Sequence, residues 1–165
     1  DGLEGPSTSI RRIDMKSEDD LDVATQAAYD YIKESRKKSG DGKTIIYGYS
    51  WGGILANHLA KRLKSDKIAE TDFLIIVDAA NGNQSDDVDR DYSESADRVD
   101  NYYTPDRSNR LGSHGDKGKP QEKVNNKIRV TYKDENGKKK KVTHSNIDEA
   151  TFDDVLKSIN EFLNK

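Results

Sequence analysis

The chain contains no cysteine. Disulfides, thiolate nucleophiles and cysteine-held zinc are therefore excluded, and the redox compartment stays open. No apolar run approaches the roughly 20 residues needed to cross a bilayer, so stable membrane insertion is not expected. No secretory signal peptide is visible. Charge of one sign is also lacking: 28 basic and 31 acidic residues leave a net charge of −3. That balance gives no electrostatic reason to expect a nucleic acid partner. Apolar residues are few, at 32% against 36% charged. They are clustered, however, which allows a modest core. There is no internal repeat. A length of 165 residues suits one domain over 1–165. The chain begins at Asp1, as expected of a mature form or an excised fragment.

The apolar clusters carry readable periods. Residues 9–14 predict a short strand. Ser17 reads as an N-cap, and Leu21, Ala24, Ala27, Ala28, Tyr31 and Ile32 recur at helical spacing, which predicts a helix over about 18–37. Arg36, Lys37 and Lys38 followed by Ser39-Gly40 mark its end. Thr44 to Tyr47 and Phe73 to Val77 are apolar on both faces, as in strands of a parallel sheet. Between them, Trp51 to Lys64 is helical, with Ile54, Leu55, Leu59 and Leu63 on one side. Strand–helix–strand alternation predicts an α/β fold with a mostly parallel sheet and helices on both faces. Residues 79–98 read as a polar surface excursion, 99–104 as a strand and 105–123 as loop. Lys127 to Tyr132 alternates with period 2, and Asn136-Gly137 predicts a hairpin with a return strand over 139–143. Thr151 and Asp154 suggest a capping box opening a terminal amphipathic helix that carries Phe152, Val155, Leu156, Ile159, Phe162 and Leu163.

One motif bears chemistry. Gly48-Tyr49-Ser50-Trp51-Gly52 lies between a predicted strand and a predicted helix. A serine hydroxyl is a weak nucleophile at neutral pH. It needs a base, an orienter for that base, and donors for the oxyanion. A strained strand-to-helix turn flanked by small residues presents the hydroxyl, and Gly53 adds room behind it. The context, more than the five-residue pattern, makes Ser50 a candidate nucleophile. The competing reading is a tight strand–helix connection without chemistry. Asp78 follows a strand expected to be buried, where a carboxylate needs a partner.

Thr44 to Gly53 resembles the nucleophile elbow of the α/β-hydrolase superfamily, in its lipase and esterase branch. The resemblance extends over roughly residues 40–165, and the elbow is its only specific motif. It implies a serine hydrolase of carboxylic esters, with lipid esters the substrate class suggested by the lipase branch, that works without a cofactor. Its chain order of serine, acid and histidine is filled here by Ser50, Asp78 and His144. The histidine would lie between the last strand and the terminal helix. The resemblance further implies an oxyanion donor at the backbone N–H of Trp51. A second donor would come from the first residues, with Leu3 the choice and Gly2 or Gly5 alternatives. The chain departs from the family in lacking a His-Gly-Gly-Gly motif and an early strand, so the fold is expected to be N-terminally short.

Other readings stay open. The same triad would serve a thioesterase, peptidase or acyltransferase, and a short N-terminus would suit an inactive interaction module. Asp1-Gly2-Leu3 resembles the end of the Asp-Pro-x-Gly-Leu-type sequence that closes the core of large secreted repeat-containing toxins. On that three-residue resemblance the chain would be a released effector domain, and as part of a larger secreted toxin it could have a protein partner. His58 lies along the helix after Ser50 and reads as a surface or boundary residue, and His114 lies in a polar loop. Asp87, Asp89, Asp91, Asp97, Asp100 and Asp106 are rival acids; Asp148 belongs with the start of the last helix. Asp87 to Asp91 fails the calcium-loop template, since Tyr92 stands where glycine is needed and Arg98 where glutamate is needed. Lys138 to Lys141 reads as a solvated hairpin tip, with weak contact to anionic lipid head groups as the alternative.

Overall fold

The computed structural model describes residues 11–13, 21–40, 42–81, 88–106 and 116–164. The elements run α1 (Leu21–Ser39), β1 (Ile45–Tyr49), α2 (Trp51–Ser65), β2 (Phe73–Val77), β3 (Arg98–Tyr103), β4 (Val124–Ile128), β5 (Thr131–Lys133), β6 (Lys139–Lys141) and α3 (Ile147–Leu163). A 3₁₀ turn, His144–Asn146, precedes α3. Strands β1 to β4 form one sheet in chain order, and every neighbouring pair is parallel. Strands β5 and β6 form a separate antiparallel hairpin.

The two-sided burial expected of β2 is complete. All five of its side chains are buried. Leu74 and Ile76 join Ile46, Val99 and Val124 beneath α1 and α2. Phe73, Ile75 and Val77 turn the other way and meet Tyr102, Ile147, Val155 and Ile159, the last three from α3. Period-2 alternation thus splits one apolar strand between two cores. Each of these side chains contributes about 1.5–3 kcal/mol of hydrophobic stabilisation.

Several sequence expectations shift. Residues 11–13 form no strand, and the expected N-cap at Ser17 lies outside the described residues. Helix α1 runs to Ser39, where Gly40 (φ 69°) donates its N–H to Arg36 O and ends it in the left-handed region. The excursion after β2 is not wholly superficial. Val88 and Tyr92 insert into the core beneath α2, and the buried Asn57 of α2 donates to the carbonyls of Asp89 and Asp91. The alternating run Lys127 to Tyr132 is two strands rather than one. Its first part ends β4, with the Arg129 N–H still donating to Tyr103 O, while Thr131 to Lys133 changes partner to β6. Both parts are extended, so alternation cannot reveal the change of partner. The last helix begins at Ile147, four residues before Thr151. The capping box belongs to Thr143 and Asn146, and the Thr151 hydroxyl donates instead to Ile147 O inside the helix. Phe152 is exposed, off the face that packs on the sheet.

Candidate active site

The carboxyl ends of β1 and β2 lie side by side, Tyr49 opposite Val77. Ser50 and Asp78 are the next residues along each strand. Open parallel sheets offer their ligand sites at this edge. Both residues leave the strand in the left-handed region, with φ 54° at Ser50 and 45° at Asp78. For residues other than glycine such geometry costs about 1–3 kcal/mol and persists only where the surroundings over-determine it. Here they do. The Ser50 N–H donates to Val77 O at 3.0 Å, and Ser50 O accepts from Gly53 N–H at 2.9 Å and Ala80 N–H at 3.2 Å. The Asp78 N–H donates to Tyr102 O at 2.8 Å.

Two glycines close this turn. A Cβ on Gly48 would lie 2.0 Å from Gly52 O, and one on Gly53 would lie 2.8 Å from Ala79 Cβ. Gly52 has open space where its Cβ would be. The steric requirement therefore falls on Gly48 and Gly53, not on the symmetrical Gly48 and Gly52 pair of the sequence motif.

Ser50 occupies the N-cap position of α2, where a serine ordinarily accepts a hydrogen bond from the helix backbone. It makes no such bond. Its hydroxyl donates to His144 Nε2 at 2.9 Å. The Nδ1–H of His144 donates to Asp78 Oδ2 at 2.8 Å. The tautomer follows from the partners: a carboxylate accepts at Nδ1, which leaves Nε2 as acceptor for the hydroxyl. Asp78 is 1% exposed and His144 5%. The other Asp78 oxygen accepts from Thr104 N–H at 3.4 Å. Asp78 and His144 are thus hydrogen-bonded where an unpaired polar group would be costly.

The histidine is fixed by neighbours that the sequence motif did not announce. The Tyr49 hydroxyl donates to the His144 carbonyl at 2.5 Å, and its ring stacks on the imidazole with centroids 5.4 Å apart. Burial, with the Asp148, Asp78 and Tyr47 side chains adding to it, pushes the Tyr49 phenol up to about 12. It therefore remains a donor through the neutral range. The Thr104 hydroxyl donates to Val142 O at 3.1 Å, and Thr143 N–H donates to Asn146 Oδ1 at 2.7 Å. Position next to Ser50 could have flagged Tyr49. Nothing local flags Thr104.

Trp51 is the first residue of α2, where helix N–H groups lack intrahelical acceptors and the dipole is positive. Leu3, Gly2 and Gly5, the expected sources of a second donor, lie outside the described residues, as do His114 and Asp87. His58 is exposed on α2. The other rival acids are placed elsewhere: Asp89 pairs with Lys61, Asp100 with Arg98 and Lys127, and Asp106 with Lys141. Asp91 accepts from Ser93 N–H, and Asp97 is exposed. Asp148 stands in the first turn of α3. Tyr102 is core, its hydroxyl accepting from Lys127 Nζ. Among the described residues no cluster of His, Asp or Glu is arranged to hold a metal ion, and no helix is long and apolar enough to cross a membrane. No family model, curated protein or solved structure matches this chain.

Proposed function

We propose that the protein is a serine hydrolase acting on carboxylic esters, with Ser50 as nucleophile, His144 as general base and acid, and Asp78 as orienter. The observation that carries this reading is the unbroken relay from the Ser50 hydroxyl through both imidazole nitrogens to a buried carboxylate. A Ser50 hydroxyl directed at His144 while its own helix goes uncapped adds support. The parallel sheet and the elbow sequence are also consistent with the resemblance to the α/β-hydrolase superfamily.

In the first half-reaction Ser50 Oγ attacks the ester carbonyl carbon as its proton passes to His144 Nε2. Asp78 stabilises the resulting imidazolium and does not take the proton itself. The developing oxyanion is met by the Trp51 N–H at the positive end of α2. Collapse of the tetrahedral intermediate expels the alkoxide, which leaves as the alcohol with the proton from Nε2. In the second half-reaction water, giving a proton to His144 Nε2, attacks the acyl–serine ester; the acyl–Oγ bond breaks, Nε2 returns the proton to Ser50 Oγ, and the carboxylic acid is released. Every step uses protein groups and water. Lipid esters are the substrate class favoured by the lipase-like elbow.

A fluorophosphonate probe should label the wild-type protein on Ser50, and Ser50→Ala should lose both labelling and ester turnover. Because the Ser50 side chain does not cap α2, this substitution should alter stability little, so loss of labelling would report chemistry. A well-folded wild-type chain that takes no label would end the hydrolase reading. Relative turnover of oxygen esters, thioesters and amides would separate an esterase from thioesterase, peptidase or acyltransferase use of the same residues.

A further inference from the structure

The β5–β6 hairpin concentrates positive charge in an acidic protein. Residues 131–141 include five basic side chains and two acidic ones, whereas the whole chain carries −3. The register sorts these charges by face. Lys133 stands directly opposite Lys139, and Thr131 opposite Lys141, on one face; Tyr132 and Lys140 occupy the other. The orientation is fixed, because Tyr132 packs toward α3 and its hydroxyl donates to Glu149. Two of the nearby acids are occupied elsewhere on the hairpin and beside it. Asp134 pairs with Lys140 and accepts from the N–H groups of Asn136 and Lys138, and Asp106 pairs with Lys141. No acid among the described residues pairs with Lys133 or Lys139.

Like charges directly opposed across a strand pair are destabilising. Protection against edge pairing does not account for them, since strands of three residues are already short edges. An apolar group lies beside one of the lysines. Val130, at the base of the hairpin, is 51% exposed. Val130 and Pro105 line a depression of about 140 Å³ together with Lys141. Lysines beside exposed aliphatic side chains are the combination that engages a membrane surface carrying anionic lipid: charge to the head groups, alkyl groups to the acyl boundary. The hairpin is also continuous with the catalytic candidates. His144 follows Lys141 by three residues, and Thr104, which contacts Asp78, lines the same depression.

We propose that the hairpin, through Lys133, Lys139 and Lys141 and the depression that Val130 shares with Lys141, docks the protein on an anionic lipid surface. This extends the lipid-ester reading above by assigning the surface on which the ester would be met.

The test uses the full chain carrying Ser50→Ala, so that binding is read without turnover and its failure is separable from failure of the hydrolase reading. Sedimentation with phosphatidylcholine vesicles is compared with vesicles that also contain phosphatidylglycerol. Binding to the anionic vesicles alone is expected. It should weaken with salt, and by about 30-fold in Lys133→Ala/Lys139→Ala, at the usual contribution of a lysine near an anionic surface. Lys37→Ala/Lys38→Ala, which removes the same charge from the end of α1, should bind as the parent does. Equal binding to neutral vesicles, an unaffected hairpin variant, or an equally weakened α1 variant would overturn the proposal. So would hairpin-dependent retention of RNA in place of vesicles, which would give the face to a nucleic acid.

Discussion

The turn at Ser50 makes a sharp prediction about two glycines that the sequence motif treats alike. A methyl group added at Gly48 would lie 2.0 Å from Gly52 O, 2.5 Å from Gly52 C and 2.8 Å from Ala56 Cβ. Carbon atoms pack comfortably at about 3.5–4.0 Å. The overlap is with backbone in the first turn of α2, so no side-chain rotation relieves it. Helix and strand must separate by about 1 Å or more, in a region where Ile46, Leu55 and Leu74 are packed. The expected loss is about 3 kcal/mol or more, a large part of the roughly 5–15 kcal/mol typical of a domain. With a urea slope of about 2 kcal/mol/M, Gly48→Ala should lower the unfolding midpoint by about 1.5 M. Gly52→Ala meets nothing within 4 Å. Inside a helix alanine is favoured over glycine by up to about 1 kcal/mol, so its midpoint should hold or rise by up to about 0.5 M. Paired urea titrations of the two variants check this. A Gly48→Ala chain as stable as wild type, or a Gly52→Ala chain as damaged as Gly48→Ala, would refute the steric assignment.

Three further outcomes are expected. Asp78→Asn should lower kcat by about 10⁴ while the chain stays folded, because an amide no longer holds the Nδ1–H tautomer; steady-state ester kinetics beside circular dichroism would measure it. Tyr49→Phe keeps the ring against His144 but leaves the His144 carbonyl without that donor, which should cost about 1 kcal/mol of stability and reduce kcat more than it changes KM. Asp100 provides a pH signature. Burial alone would raise its carboxyl, but hydrogen bonds from Lys127 and Arg98 outweigh that and hold it below the usual range. A lowered carboxyl stabilises the fold above its unfolded value of about 3.9, and this contribution disappears as pH falls through the folded value. Urea midpoints from pH 7 to about 2 should therefore decline less steeply for Asp100→Asn than for wild type, from a lower starting point because Lys127 loses its partner.

The sequence made legible what local patterns encode. Phe73 to Val77 is apolar at every position and could only be covered on both sides, which is how β2 sits. The elbow was readable because glycine, serine and the flanking periods lie within a few residues. Distant features were not. Tyr49 reaches a residue 95 positions away, and Thr104 joins Asp78 to Val142 across the ends of two strands and a loop. The division of Lys127 to Tyr132 between two sheets depends on which chain lies alongside, and the same alternation satisfies either partner. Thr151 misled because serine and threonine tolerate helix interiors when their hydroxyl returns to a carbonyl one turn back.

The three residues of the relay come from different stages of the chain. Ser50 and Asp78 are carried on adjacent parallel strands, but His144 arrives only after the hairpin and is held just ahead of α3, which seals the second core. During synthesis the serine and the acid therefore emerge long before the base. On the hydrolase reading proposed above, a nascent chain that has formed β1 and β2 would be inactive until the polypeptide beyond residue 143 docks. In the finished molecule, local opening of α3 would withdraw His144 and leave Ser50 in place. If the chain turns over esters as proposed, that activity would then fade, on gentle warming or in mild denaturant, before the four-stranded sheet is lost.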